Sequence, residues 1–169
     1  MFEDDDEQWM RVALEAAHAA GEAGEVPVGA CVVGFDNQVL AVAANRTRRD
    51  CDPTAHAEIV ALREAAHRTG NFRLPGAKVY STIEPCAMCA GALIQARVAR
   101  LVFGAPESRA GAVESIFQIL NHSSLNHQIS YTSGVLADEA RALMQAFFLQ
   151  RRQSKVGSRK AEGRGSEIF

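Results

Sequence analysis

Lys78-Val79-Tyr80-Ser81-Thr82-Ile83-Glu84-Pro85-Cys86-Ala87-Met88-Cys89-Ala90-Gly91-Ala92 is the stretch on which the fold turns. Lys78 to Thr82 reads as a short strand. Pro85 then opens a helix reaching about Arg97, because a proline in the first turn has no N–H to leave unpaired. Outward on the N-terminal side, a helix opens around Asp52-Pro53-Thr54 and runs through Arg68, with Asp52 or Thr54 available to cap it. On the C-terminal side, Arg100 to Ala105 reads as the next strand. Val28 to Val33 and Val39 to Ala44 read as buried strands joined by a hairpin turn at Asp36-Asn37-Gln38. A helix over residues 6–20, with acids in its first turn, precedes them. Beyond Ala105 come a Gly/Pro/Ser loop, a short helical piece at Ser115 to Asn121 and a weaker strand at Gln128 to Ser133. The last helix, Asp138 to Arg152, places Ala140, Leu143, Met144, Phe147 and Phe148 on one face. This order predicts the α/β class: a three-layer α/β/α sandwich around a mixed sheet of about five strands, with helical crossovers joining parallel strands. Residues 1–152 form one domain. Residues 153–169, rich in Gly, Ser and charge, read as a flexible basic C-terminal tail.

The 169 residues, 47% hydrophobic and 22% charged, suit one globular domain with a single core. The longest apolar run, Val39 to Ala44, is far short of the ~20 residues that span a bilayer. The acidic start Glu3-Asp4-Asp5-Asp6-Glu7 is the opposite of a secretory leader. No membrane association and a cytoplasmic location are therefore expected. Four cysteines are too few for a disulfide scaffold, and Cys86 with Cys89 has C-x-x-C spacing, which points to metal or redox chemistry. The net charge of −2 excludes a global field for nucleic acid, but residues 151–169 carry six Lys/Arg against two Glu. A polyanion would have to meet that local patch.

His56-Ala57-Glu58 and Pro85-Cys86-Ala87-Met88-Cys89 carry the chemistry. Cys86 and Cys89 lie three apart at a helix start and share one face. A right-handed crossover through the intervening strand brings the helix bearing His56 beside them. One imidazole and two thiolates then make a three-ligand zinc site with an open position, where a water is acidified toward neutral pH. Helix N-termini favour the thiolates that zinc needs. Glu58, two residues from a ligand, can shuttle protons, which is worth ~10²–10⁴-fold. Hydrolysis of an amidine-like ring carbon with loss of ammonia suits this layout. H-x-E arises by chance about 0.4 times in a chain of this composition and P-C-x-x-C roughly 0.003 times, so the pair is specific.

These residues resemble the H-x-E…P-C-x-x-C signature of the zinc-dependent cytidine deaminase superfamily. They are most similar to the family of bacterial tRNA-specific adenosine deaminases. The likeness extends over Glu25-Val26-Pro27-Val28-Gly29-Ala30, Asp52 to Glu58, Glu84 to Ala92, Val102-Phe103-Gly104-Ala105 and Asn126-His127, roughly residues 6 to 152. It implies a cytidine deaminase-like fold in a cytoplasmic homodimer with one Zn2+ per subunit held by His56, Cys86 and Cys89, and Glu58 as the catalytic proton shuttle. The implied activity is hydrolytic deamination of adenosine to inosine at the wobble position of tRNA. The implied substrate contacts are Asn45 on the purine edge, Glu107 on ribose, and Phe148 with Arg152 on the anticodon loop. The chain departs from the family pattern at Glu107, where Asp is usual, and at Glu114, where Gly is usual.

Four alternatives stay open at this stage. The same site could deaminate a free base or nucleotide of guanine or cytosine type. Cys51 could close a structural zinc site, leaving a non-catalytic RNA-binding module. Arg151 and Arg152 could be a solvated helix end, and His127 could serve the substrate or only the fold.

Overall fold

A computed structural model describes residues 5–162. In chain order the elements are α1 (Asp6–Glu22), β1 (Gly29–Val33), β2 (Val39–Ala44), α2 (Ala57–Thr69), β3 (Lys78–Ile83), α3 (Ala87–Gln95), β4 (Arg100–Ala105), β5 (Ser130–Ser133) and α4 (Ala137–Glu162). The five strands form one sheet in the order β2-β1-β3-β4-β5. β1 is antiparallel to β2 and to β3, whereas β3, β4 and β5 are mutually parallel. The sheet is therefore mixed, and α2 crosses over β1 to connect two strands that run the same way.

Alternation along the strands divides the core. Ala30, Val32, Val79, Leu101 and Phe103 pack with Val60, Ala61 and Leu62 of α2 and with Leu93 and Ile94 of α3. Cys31, Val33, Tyr80 and Val102 point the other way, to Met10 and Ala13 of α1. α4 covers the C-terminal ends of β3 and β4, where Ala140 and Met144 meet Ile83 and Ala105. These contacts make the three expected layers. Two features tighten them. A Cβ on Gly29 would lie 2.0 Å from the Ala13 carbonyl oxygen, so α1 sits on β1 only because that residue has no side chain. At the start of α1, buried Asp6 accepts a two-pronged ion pair from Arg100, at 2.9 and 2.8 Å.

The structure departs from the sequence expectation at five places. The α2 helix opens at Ala57, not at Asp52-Pro53-Thr54. Asp52 Oδ1 instead accepts the Thr54 N–H and hydroxyl, both at 2.7 Å, and closes a separate turn. α3 runs from Ala87 to Gln95 rather than from Pro85 to Arg97, with Cys86 as its N-cap and Arg97 left-handed at φ 57° beyond its end. The segment from Ser115 to Asn121 is not helical. The N–H groups of Glu114 and Ser115 go to the Glu84 carboxylate, and those of Ile116 and Phe117 go to the Gly111 carbonyl, so no i→i−4 ladder can propagate. β5 starts at Ser130, two residues later than expected from Gln128. α4 continues past Arg152 to Glu162, through residues that mostly tolerate helix, so the expected tail boundary is not a helix end. Residues 163–169 of that tail lie outside the described residues.

Candidate active site

The site forms where α2 and α3 begin. His56 and Cys86 are the N-cap residues of these helices, both with extended backbone, and neither side chain caps its own helix. For α2 that duty falls to Asn45, whose buried Oδ1 accepts the Ala57 N–H at 2.9 Å. The imidazole and thiol are thereby left to point at each other. His56 Nδ1 lies 3.6 Å from Cys86 Sγ and 3.5 Å from Cys89 Sγ, and the two sulfurs are 3.7 Å apart. Among the described residues these three form the group whose donor atoms could hold a metal.

The donor triangle fits zinc closely. A tetrahedral ion at usual bond lengths puts two sulfurs about 3.8 Å apart and a sulfur and a nitrogen about 3.6 Å apart. Zinc is the cofactor of this site, and the triangle leaves one tetrahedral position for a non-protein ligand. Cys51 is exposed, with its sulfur 3.7 Å from the Arg48 carbonyl, and stands outside the donor group. The closed four-ligand alternative has no geometric support.

The electrostatics suit a cation. The Cys86 thiol is pulled down to about 3, first by its hydrogen bond with Cys89 and then, against burial, by His56. Cys89 is pushed up by the same bond and by burial. His56 is raised, first by its bond to Cys86. Both helix N-termini add positive potential at the donors.

Glu58 sits in the first turn of α2, 3% exposed. Burial lifts its carboxyl well above the usual range, and the Cys86 charge lifts it further. Its backbone N–H, His56 and a hydrogen bond with Cys89 oppose that shift. A carboxyl held protonatable beside a metal site is suited to proton transfer.

The remaining sequence-derived residues are more dispersed. The Glu107 side chain folds back on the Arg109 N–H at 2.9 Å. Phe148 on α4 is exposed and meets Phe147 edge-on, while Phe147 is buried. Arg152 is exposed, and Arg151 stacks over the Phe147 ring at 5.5 Å. His127 Nε2 is 2.8 Å from the Val98 carbonyl, a bond that ties down the loop. Cys31 is fully buried in β1, with its thiol pushed up by burial to about 12.

Besides Asp6, two buried carboxylates have roles that the sequence reading did not identify. Glu25 accepts the N–H groups of Arg48 and Arg49 and the Thr47 hydroxyl. Glu84 does the same for the loop after β4. The signal for Glu84 was its place between a fully buried strand and the C-x-x-C helix, where a charge needs several partners.

Two thiolates and an imidazole at paired helix starts, with a buried acid alongside, define a zinc-dependent deaminase as the class of protein. Residues 3–105, more than half of the chain, match the family of the cytidine and deoxycytidylate deaminase zinc-binding region, and the chain belongs to that family. It is 45% identical over 150 residues to the tRNA-specific adenosine deaminase of Haemophilus influenzae, covering 89% of this chain and 87% of that one. A solved structure from work on A-to-I editing by tRNA:A34 deaminases at the wobble position superposes with a TM-score of 0.78 at 43% identity, over 80% of this chain and 98% of the other. A guanine deaminase from Nitrosomonas europaea superposes with a TM-score of 0.69 at 29% identity, over 83% of each chain. No described helix is long and apolar enough to cross a membrane.

Proposed function

We propose that this protein deaminates adenosine to inosine at the wobble position of tRNA, with water as co-substrate and ammonia as the second product. The observation that carries the chemistry is the His56–Cys86–Cys89 triangle with Glu58 buried beside it. The substrate class is supported by the closer likeness to the tRNA-specific enzymes than to the guanine deaminase.

His56, Cys86 and Cys89 hold the ion. Bound zinc supplies Lewis acidity that lowers the pKa of a water toward neutrality. Glu58 would take one proton of the attacking water and deliver it to N1 of the adenine ring; it would then carry the proton of the hydroxyl added at C6 to the exocyclic amine, which leaves as ammonia as the C6 carbonyl forms. Burial of Glu58 keeps bulk water from competing for that proton. Asn45 is already committed through Oδ1 to the start of α2, so its amide N–H₂ is the group that faces the purine edge. Glu107 in the loop after β4 approaches the ribose, and Phe148 with Arg152 on α4 meets the anticodon loop. An unpaired anticodon nucleotide reaches such a pocket at a small unstacking cost. The working unit is a homodimer in the cytoplasm, and the exposed apolar side chains Met88, Ile116 and Phe117 are suited to contact with a second copy.

Incubation with a labelled anticodon stem-loop, and separately with free guanine, cytosine and dCMP, tests the substrate. Inosine at the wobble position with no release of ammonia from the small molecules is the expected result. Turnover of a free base with an untouched stem-loop would replace this function with nucleobase deamination.

A further inference from the structure

We propose that Glu84 is a positioning residue for the RNA substrate: its carboxylate fastens the 107–115 loop onto the segment that carries Cys86. The proposal rests on the reading above, in which that loop lines the substrate site.

Glu84 is 3% exposed, and its two oxygens collect five donors from one loop. Oε1 accepts the N–H groups of Val113, Glu114 and Ser115 at 3.0, 2.8 and 2.9 Å. Oε2 accepts the Glu107 N–H at 3.0 Å and the Ser115 hydroxyl. An ionised carboxylate has about four lone-pair sites, so this one is saturated. The loop has no regular structure of its own between Glu107 and Ser115. One side chain therefore does for it what a hydrogen-bond ladder does for a helix. Gly111 makes room, since a Cβ there would lie 2.3 Å from Glu84 Oε2.

The same loop is joined to the metal segment by backbone. Gly111 forms an isolated bridge with Cys86, and the Ala112 N–H donates to the Pro85 carbonyl at 2.9 Å. The loop carrying Glu107 and the α3 start carrying Cys86 are thus two sides of one clasp, with Glu84 at its centre. Glu114 fits this arrangement, because the clasp uses its N–H and leaves its side chain exposed. In Glu84→Gln the amide N–H₂ would face donors, and the loop would have to be ordered by the RNA on binding. Binding would weaken, while the zinc centre and Glu58 would keep their geometry.

The test compares wild-type, Glu84→Gln and Ser115→Ala proteins by metal analysis, amide hydrogen exchange and steady-state kinetics on the anticodon stem-loop. Zinc should stay at one per chain in all three. Exchange across 107–115 should rise at least ~10-fold in Glu84→Gln, with β3 and β4 unchanged. KM should rise about tenfold or more while kcat falls less than about threefold, and Ser115→Ala should show the same split in smaller measure. Unchanged exchange, or zinc loss with an unaltered KM, would overturn the proposal. Should Glu84→Gln fail to fold, Ser115→Ala decides, and wild-type KM and exchange in that variant would overturn it. A wild-type protein inert on the stem-loop would sink the tRNA reading instead, with exchange still deciding whether the clasp exists.

Discussion

In the proposed mechanism, Glu58 concentrates the proton transfer in one side chain. Burial raises its carboxyl above the ordinary range, with its own backbone N–H, His56 and Cys89 opposing, so the protonated form is favoured over that of an exposed glutamate. Glu58→Gln preserves shape and removes that proton transfer. Turnover is expected to fall by ~10²–10⁴-fold, the usual worth of a general acid–base, with zinc content unchanged by metal analysis. Cys51→Ser should likewise leave zinc in place, because Cys51 stands apart from the donors. Loss of zinc in that variant would reinstate the four-ligand site.

At the scale of elements, the site exists because two helices start late. Asp52 closes its own turn with Thr54, which postpones α2 until His56 is the N-cap, and Pro85 lies outside α3 so that Cys86 occupies the equivalent place. The Asp52 carboxyl is held below its ordinary 3.8 first by the Thr54 hydroxyl and N–H, then, against some burial, by Arg63. A depressed carboxylate stabilises the fold above its unfolded pKa, and that contribution disappears as pH falls through the lower folded value. Asp52→Ala should therefore lower the urea midpoint at neutral pH. The gap from wild type should close as pH drops below 3.8. A gap that persists in acid would mean the turn is held by something other than the ionised carboxylate.

Across the whole molecule, burial and charge operate at opposite ends of the sheet. The Asp6–Arg100 pair, with side chains 0% and 11% exposed, ties α1 to β4 away from the metal. Arg100→Ala removes the cation that faces buried Asp6, which keeps the Tyr80 hydroxyl, and should cost about 3–5 kcal/mol, read by urea denaturation, without altering zinc stoichiometry. At the other end, Arg152 on α4 is exposed and is the cation that the proposed function sets against phosphate, whereas Arg151 is partly engaged by the Phe147 ring. Arg152→Gln should weaken stem-loop binding and reduce the slope of log K against log salt by about one. Turnover per bound complex should change little. A collapse of single-turnover rates at saturating RNA would show that Arg152 organises the pocket.

What the amino-acid order determined by itself was local and periodic. The apolar run of Val28 to Val33, the short strand of Lys78 to Thr82, the stripe on α4, and the rare P-C-x-x-C spacing were enough for the layers, the strand count and the three side chains whose donor atoms converge. Periodicity and spacing are properties of neighbours along the chain, so they are legible there. The parts that had to wait were long-range hydrogen bonds. Ser115 to Asn121 has helix-compatible residues, yet the N–H groups of Glu114 and Ser115 are taken by Glu84, about thirty positions earlier, and those of Ile116 and Phe117 by the Gly111 carbonyl. Asn45 caps a helix twelve positions on, and Asp6 finds Arg100 only across the sheet. A buried polar group must take whatever partner folding brings to it, and only tertiary structure decides which one that is.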